Sequence, residues 1–315
     1  MMRVEPSLLR SSNRYAYSRL IVTFGLLFVL SLLLLQPIGT VFRILLVLTN
    51  GFMIAGFFSV MHYCCHGTFF TEKEMNRRFG QLLASAMLIN FSAYKFFHMQ
   101  HHRRTTVDGD SEPVGEIRTV WQYFWYALNW DYITAFARMS IGSLFGYFPF
   151  FVRSQRACRK VKFDAWLSLG FMAGMCCLTW LFPLQALLIY WLPVQVAFSL
   201  NFFYVVGEHS GVKAGDDPLQ NTQTFARQSR LFSFFNHNSN FHAAHHCFPQ
   251  VPPDHIPAAH RQIAEKLKYS PVGYIELNLQ LLRSLLRSPS RSIPPPPPGR
   301  EVSFFYKLEA RNESK

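Results

Sequence analysis

The chain has 315 residues, of which half are AVILMFWYC and only 16% are charged. Soluble proteins carry about 25% charged residues, so this composition argues against a soluble globular protein and favours one embedded in a membrane. The net charge of +13 does not indicate nucleic-acid binding, because the basic residues are scattered through loops without interleaved aromatic side chains. Anionic lipid or an acidic protein partner fits this charge better.

Four long apolar runs predict four membrane-spanning helices. They cover residues 20–41, 44–61, 165–182 and 184–206, and the short breaks between them pair the spans into two hairpins. For the first run the alternative is a cleaved signal peptide, but no small-residue cleavage site follows Leu35. We therefore expect an all-α integral membrane protein with four transmembrane helices in two hairpins.

The ends of the chain differ in composition from this membrane domain. Residues 1–19 form a short segment before the first span, and residues 20–285 form the membrane domain itself. Residues 286–315 contain five consecutive prolines, Pro294 to Pro298, and are predicted to be a disordered tail.

Basic residues predict the orientation of the spans, because Lys and Arg near helix ends prefer the cytoplasmic side. Four arginines precede the first span and five basic residues precede the third, whereas the hairpin tips carry only Arg43. Both termini should therefore be cytoplasmic, together with the long segments 61–164 and 207–315. We expect these segments to form a helical cap. The six cysteines, of which Cys176 and Cys177 lie within the third span, are expected to be reduced thiols rather than disulfides.

Two apolar stretches within the cap are too polar to be further spans. Residues 79–97 are interrupted by polar side chains, and residues 121–151 begin with a cluster of Trp and Tyr. Such aromatic clusters favour the headgroup layer of a membrane, so we expect helices that lie along the membrane surface. Ordinary core helices of a soluble cap are the alternative.

The histidines carry the chemistry. None of the twelve precedes residue 62, and nine form close groups. His62 and His66 form HxxxH, and HxxHH occurs twice, at residues 98–102 and 242–246. On a helix these spacings place two or three imidazoles within one turn. The candidate metal ligands are His62, His66, His98, His101, His102, His209, His242, His245 and His246.

Nine imidazoles exceed the needs of one metal and imply two metals with four or five ligands each. Grouped histidines without grouped cysteines favour Zn, Cu, Fe or Ni, and the spacing alone fits zinc as well as iron. His209 directly follows the fourth span, and a solvated loop histidine is its alternative interpretation. His237, His255 and His260 lie outside the groups and are expected at the surface or beside the ligands.

Histidine ligands are usually oriented by partners that accept their free N–H. Four residues near the histidine groups are candidates for this role, with solvated turn residues as the alternative for the acidic ones: Asp108, Asp110, Glu112 and, one helical turn before His242, Asn238. The boxes contain no obvious carboxylate to bridge two metals, and Glu208 is the nearest candidate, with a place beside the ligands as its other role.

The three histidine boxes resemble those of the membrane fatty acid desaturase family. The resemblance is carried by His62-Tyr-Cys-Cys-His66, His98-Met-Gln-His101-His102, Glu208-His209 and Asn238-Ser-Asn-Phe-His242-Ala-Ala-His245-His246, and it covers about residues 20 to 275. The segments at 221–224 and 251–257 are similar to the bacterial branch that includes dihydrorhizobitoxine desaturase-like enzymes. The resemblance implies two non-haem iron ions bound by the nine histidines, with O2 as co-substrate.

The resemblance implies that the protein is an oxidoreductase that introduces a double bond into a fatty acyl chain at the cytoplasmic membrane face. We find no haem, flavin, nicotinamide or ferredoxin motif, so a separate electron donor is expected, a ferredoxin or a cytochrome b5 with its reductase. Tyr63, Ala244, Gln223 and the Asp110-Ser-Glu112 run depart from the family pattern and leave the substrate open.

Two other functions compete with desaturation. A hydroxylase or ketolase of a lipid, carotenoid or amino-acid-derived substrate would use the same boxes. A metal transporter would need ionisable residues along its spans, and the predicted spans have none.

Overall fold

The computed structural model describes residues 4–112, 117–226, 228–269, 273–287 and 305–307. Helices make up almost all of the regular structure in this part of the chain. In chain order they are α1 (Asn13–Leu34), α2 (Thr40–His66), α3 (Lys73–Ala86), α4 (Phe91–Arg104), α5 (Val120–Ala127), α6 (Trp130–Leu144), α7 (Gln155–Leu181), α8 (Pro183–Ala186), α9 (Leu192–Val205), α10 (Pro218–Asn221), α11 (Arg230–Phe235), α12 (His242–Cys247), α13 (Ile256–Arg261) and α14 (Tyr274–Arg287). Short 3₁₀ turns cover Pro6–Leu9 and Ala264–Lys266.

Four of these helical segments are long and apolar enough to cross a membrane. They are α1, α2, α7 and Pro183–Val205, in which a π-helical turn, Leu187–Trp191, joins α8 to α9. The predicted fold class is confirmed: the protein is helical, with four candidate membrane helices and a histidine-rich cluster.

The helix bounds differ from the predicted spans. α1 begins at Asn13, because the Ser12 side chain accepts the backbone N–H of Tyr15 and caps the helix. It ends at Leu34, where a turn that contains Pro37 leads into α2, so the span predicted at 20–41 extends too far. α7 begins ten residues before the predicted 165, capped by Ser154. Polar first turns of a helix carry no hydropathy signal, which is why the apolar runs missed them.

The first hairpin brings the start of α1 beside the end of α2. The hydroxyl of Ser11 donates to the backbone carbonyl of Thr68, and the Asn13 amide lies 2.7 Å from the Thr71 hydroxyl. α2 ends at Gly67, whose φ of 75° is a left-handed conformation that glycine adopts without strain. The two histidines of the first box therefore lie in the last two turns of α2, at this end of the hairpin.

α2 is the central helix and packs against α1, α3 and α9. Its contact with the end of α11 requires a residue without a side chain at Gly56, where a Cβ atom would lie 2.0 Å from the carbonyl oxygen of Phe235. This close approach brings the chain that leads to the third histidine box against α2.

The apolar stretch at residues 79–97 is two helices rather than one. α3 ends at Ala86, Leu88 adopts a left-handed φ of 57°, and Asn90 caps α4 by accepting the N–H of Ala93. Asn90 also donates to the carbonyl of Val161, which joins the start of α4 to α7. The stretch at 121–151 is likewise divided, into α5 and α6, at Asn129 with φ 57°.

A short antiparallel strand pair is the exception to the helical architecture. Strand β1 (Tyr147–Pro149) pairs with β2 (Phe305–Lys307), with Phe148 opposite Tyr306. β2 belongs to the tail predicted at 286–315. The five prolines and most of that tail lie outside the described residues.

Candidate metal centre

The nine candidate ligands converge into two groups. His62, His66, His98, His102 and His245 form a five-histidine group, and His101, His209, His242 and His246 form a four-histidine group. Within each group the ring nitrogens that face one another lie within 4.8 Å. The two groups have the sizes expected for two metal sites with four or five ligands each.

Neighbouring Nε2 atoms are closely spaced within both groups. In the five-histidine group, His62 and His245 are 2.9 Å apart and His98 and His102 are 2.8 Å apart. In the four-histidine group, His209 Nε2 lies 3.2 Å from the Nε2 atoms of both His101 and His242. Ligand nitrogens about 2.1 Å from one metal lie roughly 3–3.5 Å from one another, so both spacings suit a shared metal ion.

Helix geometry explains how the boxes are divided between the groups. Residues four apart lie on one face of a helix, whereas a residue three apart is displaced around it. His98 and His102 on α4 accordingly share the five-histidine group, while His101 faces the other group. α12 repeats the pattern, with His242 and His246 together and His245 apart. The spacing of the boxes thus already contains the division of the ligands into two groups.

Hydrogen bonds to Nδ1 set the tautomers of two candidate ligands, His101 and His209. Nδ1 of His101 lies 2.8 Å from Asp110 Oδ1, and Nδ1 of His209 lies 3.0 Å from the carbonyl oxygen of Asn221. Since a carboxylate and a carbonyl only accept, each Nδ1 carries the proton. The two Nε2 atoms, the ring nitrogens left to act as ligands, then face each other across 3.2 Å. Because the other nitrogens of the group converge on the same place, the residues fit a metal ion.

Burial keeps most of these imidazoles uncharged. The pKa values of His98, His102, His242, His245 and His246 fall well below the usual range, first through burial and then through neighbouring imidazoles. For His209 the same causes lower the pKa to about 3. His101 differs: burial lowers its pKa, but the hydrogen bond to Asp110 and the charge of Glu112 outweigh this and raise it. Neutral imidazole is the form that binds a metal.

The carboxylate of Glu208 lies on the Nε2 side of the four-histidine group, where a metal would bind. Its Oε2 is 3.4 Å from Nε2 of His242, and only 8% of the residue is exposed. An oxygen that faces Nε2 is placed to approach a metal, whereas a residue that orients a histidine ligand would face Nδ1. Burial, and then the charge of Glu112, raise the pKa of Glu208 well above its usual range.

Two of the other expected orienting residues do not contact the histidines in the described structure. The side chain of Asp108 is exposed, and its carbonyl accepts from Nε of Arg104. Asn238 precedes α12 in a left-handed conformation, φ 60°, and its amide donates to the carbonyl of Pro253. The expectation that it lies one helical turn before His242 is wrong, because α12 begins only at His242. Asp110 contacts His101, and Glu112 lines a cavity instead.

The three remaining histidines lie outside both groups. Nδ1 of His237 is 3.4 Å from the Tyr15 hydroxyl, and Nε2 of His255 is 3.5 Å from a carboxylate oxygen of Asp254. The His260 ring is tilted by 38° against that of Phe241, with the ring centroids 4.7 Å apart. His237 is 2% exposed, so of the two positions expected for it, at the surface or beside the ligands, the first is wrong.

Two cavities that share lining residues lie beside the histidine groups. A small one of about 70 Å³ is lined by histidines of both groups, among them His62 and His101, and by Glu208. A larger one of about 330 Å³ lies between α5, α6 and α9, with walls that include Ile117, Phe202 and Val206. The two share four lining residues, Glu112, Tyr132, Asn201 and Val205. A mainly apolar space therefore leads to a polar space at the histidines.

Several residues of the site gave no signal in the sequence. Tyr94 stacks on His98 with ring centroids 5.7 Å apart, and the Thr105 hydroxyl lies 3.4 Å from Nδ1 of His246. Asn201 and Tyr132 border the cavities from α9 and α6. These contacts join residues far apart in the chain, and no local spacing reports them.

Comparison with known proteins identifies the family. Residues 38–278 match the family model described as Fatty acid desaturase. A Bacillus subtilis protein named Fatty acid desaturase is 25% identical over 76% of this chain and 74% of its own. The Arabidopsis thaliana sn-2 acyl-lipid omega-3 desaturase (ferredoxin) is 23% identical over 76% of this chain and 60% of its own. A Synechocystis sn-1 acyl-lipid omega-3 desaturase (ferredoxin) is 26% identical over 65% of this chain and 62% of its own.

The matched region contains every candidate metal ligand, from His62 to His246, and extends from the start of α2 into α14. The chain spans about three fifths of the length of the plant and cyanobacterial relatives. The model match covers more than half of the chain. The chain therefore belongs to the fatty acid desaturase family, whose named relatives are oxidoreductases.

Proposed function

We propose that the protein is an O2-dependent di-iron desaturase that introduces a double bond into a fatty acyl chain. The observation that carries this proposal is the pair of histidine groups, five and four, beside a small cavity that shares four lining residues with a larger, mainly apolar one. The family and its relatives named as fatty acid and acyl-lipid desaturases support the substrate class.

The nine histidines would hold two iron ions, with His101 and His209 presenting Nε2 because their Nδ1 protons are engaged. When bound, the irons would supply the activation of O2 needed to remove hydrogen from unactivated C–H bonds. In the balanced reaction, O2, two electrons and two protons remove two hydrogens from adjacent carbons and give two waters. Imidazole and carboxylate ligands suit redox-active iron.

The protein's own residues position and protect the reacting carbons. The apolar cavity between α5, α6 and α9 would bind the acyl chain, and Val205, which lines both cavities, would direct it toward the histidines. Holding one C–H pair near the metals replaces a random encounter with a fixed geometry. Burial of Tyr94 and the ligands His98 and His101 excludes bulk water from this end of the cavity.

Electrons would come from a separate donor. Two relatives carry ferredoxin in their names, and ferredoxin-type or cytochrome b5-type donors with their reductases fit a chain of net charge +13. Arg103 and Arg104 directly follow the second box and are exposed, so they supply positive charge close to the metals. We propose that the face that carries Arg103 and Arg104 and both termini of the chain are cytoplasmic.

Expression in a host with a simple lipid profile tests the function. We expect new acyl products 2 Da lighter than their precursors, O2 consumption, and about two irons per purified chain. Products 16 Da heavier would favour the hydroxylase alternative, and bound iron without O2 consumption would contradict both. The variant His101→Ala should abolish the products, whereas His255→Ala, outside the groups, should retain them.

A further inference from the structure

A basic groove lies between α3, the start of α4 and the start of α7. Its walls include Arg77, Ser92, Arg156, Arg159 and Lys160, and it opens over about 630 Å³. It shares no lining residue with the two cavities at the metal centre. The proposed desaturation does not use it.

Three cations in this groove have no anionic partner in the described part of the chain. Glu74 is the acidic residue that lines it, and its carboxylate already accepts from Arg77 at 2.5 Å and from Arg78 at 2.7 Å. Arg156, Arg159 and Lys160 are exposed and form no ion pair among the described residues. They also lie in the first two turns of α7, where the helix dipole disfavours cations and favours an anion.

The cations share one face of α7 with apolar surface. Arg156, Arg159, Lys160 and Phe163 follow the i, i+3, i+4, i+7 pattern of a single helix face. Phe163 is 55% exposed. Farther along the same face, ideal Cβ atoms on Gly170 and Gly174 would meet nothing within 4 Å. The face thus changes from charged to apolar and open toward the middle of the helix.

The length of α7 places this change at the membrane boundary. The helix has 27 residues, and crossing the hydrocarbon core takes about 20. Its polar first turns therefore extend into the headgroup layer, where Lys and Arg bind lipid phosphates. A soluble acidic protein would not use the apolar half of the face, whereas a phospholipid uses both halves.

We propose that the basic groove binds an anionic phospholipid of the surrounding membrane. The phosphate lies among Arg156, Arg159 and Lys160, and one acyl chain follows α7 past Phe163 and Gly170. Arg159 is suited to a bidentate contact with the phosphate oxygens. This site is independent of the metal centre and of the proposed reaction.

Lipid retention tests the proposal on the full chain. The purified protein is equilibrated with detergent micelles that contain equal amounts of phosphatidylglycerol and phosphatidylcholine, and bound lipid is counted by native mass spectrometry. We expect about one retained phosphatidylglycerol per chain. In R156Q/R159Q/K160Q its retention should fall at least roughly tenfold, since each basic residue near an anionic lipid contributes about fivefold. The matched control R261Q/R283Q/R287Q removes the same charge elsewhere and should behave as wild type.

Equal retention in wild type and R156Q/R159Q/K160Q would overturn the proposal, as would equal retention of the neutral lipid by the wild type. Displacement of the lipid by free inorganic phosphate would assign the groove to a soluble anion instead, and displacement by an acidic protein to a docking partner. If the triple variant fails to fold, the comparison of phosphatidylglycerol with phosphatidylcholine on the wild-type protein still tests the proposal. A photoactivatable phosphatidylglycerol should label residues 155–163, and labelling confined to other segments contradicts the site.

Discussion

His101 Nδ1 lies 2.8 Å from Asp110 Oδ1, while Nε2 of the same ring faces His209. Asp110 also accepts the backbone N–H groups of Thr106 and Glu112, so one carboxylate fixes both the ring and the loop after α4. The variant Asp110→Asn keeps an acceptor but loses the charge. We expect iron affinity to fall about 10- to 100-fold, measured by competition with a chelator.

The control for this change is Asp108→Asn, because Asp108 is exposed and its side chain lies outside the histidine contacts. Unchanged iron affinity in Asp110→Asn, with normal affinity in the control, would contradict the orienting role of Asp110.

The division of the ligands predicts separate loss of the two metals. His209 belongs to the four-histidine group alone, so His209→Ala should lower the iron content from about two to about one per chain and abolish activity. His260→Ala, outside both groups, should keep both irons. Elemental analysis together with iron spectroscopy measures the result, and full iron content in His209→Ala would show that this residue is not a ligand.

Glu208 is expected to bind the metal of the four-histidine group. Its Oε2 faces His242 Nε2 at 3.4 Å, and the isosteric variant Glu208→Gln removes the charge without changing the volume. We expect the retained metal of that group to dissociate faster by about tenfold or more, measured by chelator-driven release, with the five-histidine group unaffected.

Glu112→Gln is the matched control, because Glu112 lines the same cavity without an Nε2 contact. Equal release rates in the two variants would indicate that general charge in the cavity, and not a bond from Glu208, stabilises the metal.

The position of Val205 predicts a variant that blocks the substrate without affecting iron. Val205 lines both cavities, so Val205→Phe should fill the passage between them. We expect turnover of acyl substrates to fall at least roughly tenfold while iron content stays normal. Leu184→Phe, at a 57% exposed position of α8, is the control. If Val205→Phe keeps wild-type turnover, the acyl chain does not reach the histidines through this passage.

Burial of His237 is expected to make the stability of the protein depend on pH, independently of metal binding. Burial, and then the charge of Arg19, lower its pKa from 6.5 to about 3. Below pH 6.5 the unfolded chain therefore binds a proton that the folded chain does not, and stability falls as pH decreases toward 3 at up to about 1.4 kcal/mol per pH unit. At higher pH this contribution is fully present.

Asparagine tolerates the left-handed φ of 51° at position 237, so His237→Asn should fold. Its free energy of unfolding, measured between pH 7 and 5, should decrease less steeply than that of wild type. An identical slope would mean that His237 does not contribute to the pH dependence. His255→Asn, at a partly exposed position, serves as the control.

Much of the architecture was predictable because its signals are local. The apolar runs identified four candidate spans, the boxes identified eight histidines of the two groups, and the position directly after the fourth span identified the ninth, His209. The start of α7 was missed because its basic first turns are not apolar. Contacts such as Tyr94 with His98, or the Asn221 carbonyl with His209, depend on packing between distant segments. Glu208 was the nearest candidate for a bridging carboxylate, and only the three-dimensional arrangement gives its distance of 3.4 Å to Nε2 of His242.

The distribution of ligands along the chain also sets the order of assembly. Each group needs residues from α12, since His245 belongs to one and His242 and His246 to the other. Neither site can therefore be complete until the ribosome has made about four fifths of the chain and the four long helices have already been synthesised. A metal can therefore find its complete ligand set only after the long helices have been made. A chain truncated before residue 242 would keep its apolar helices, but it would lose two of the four histidines of one group and one of the five of the other.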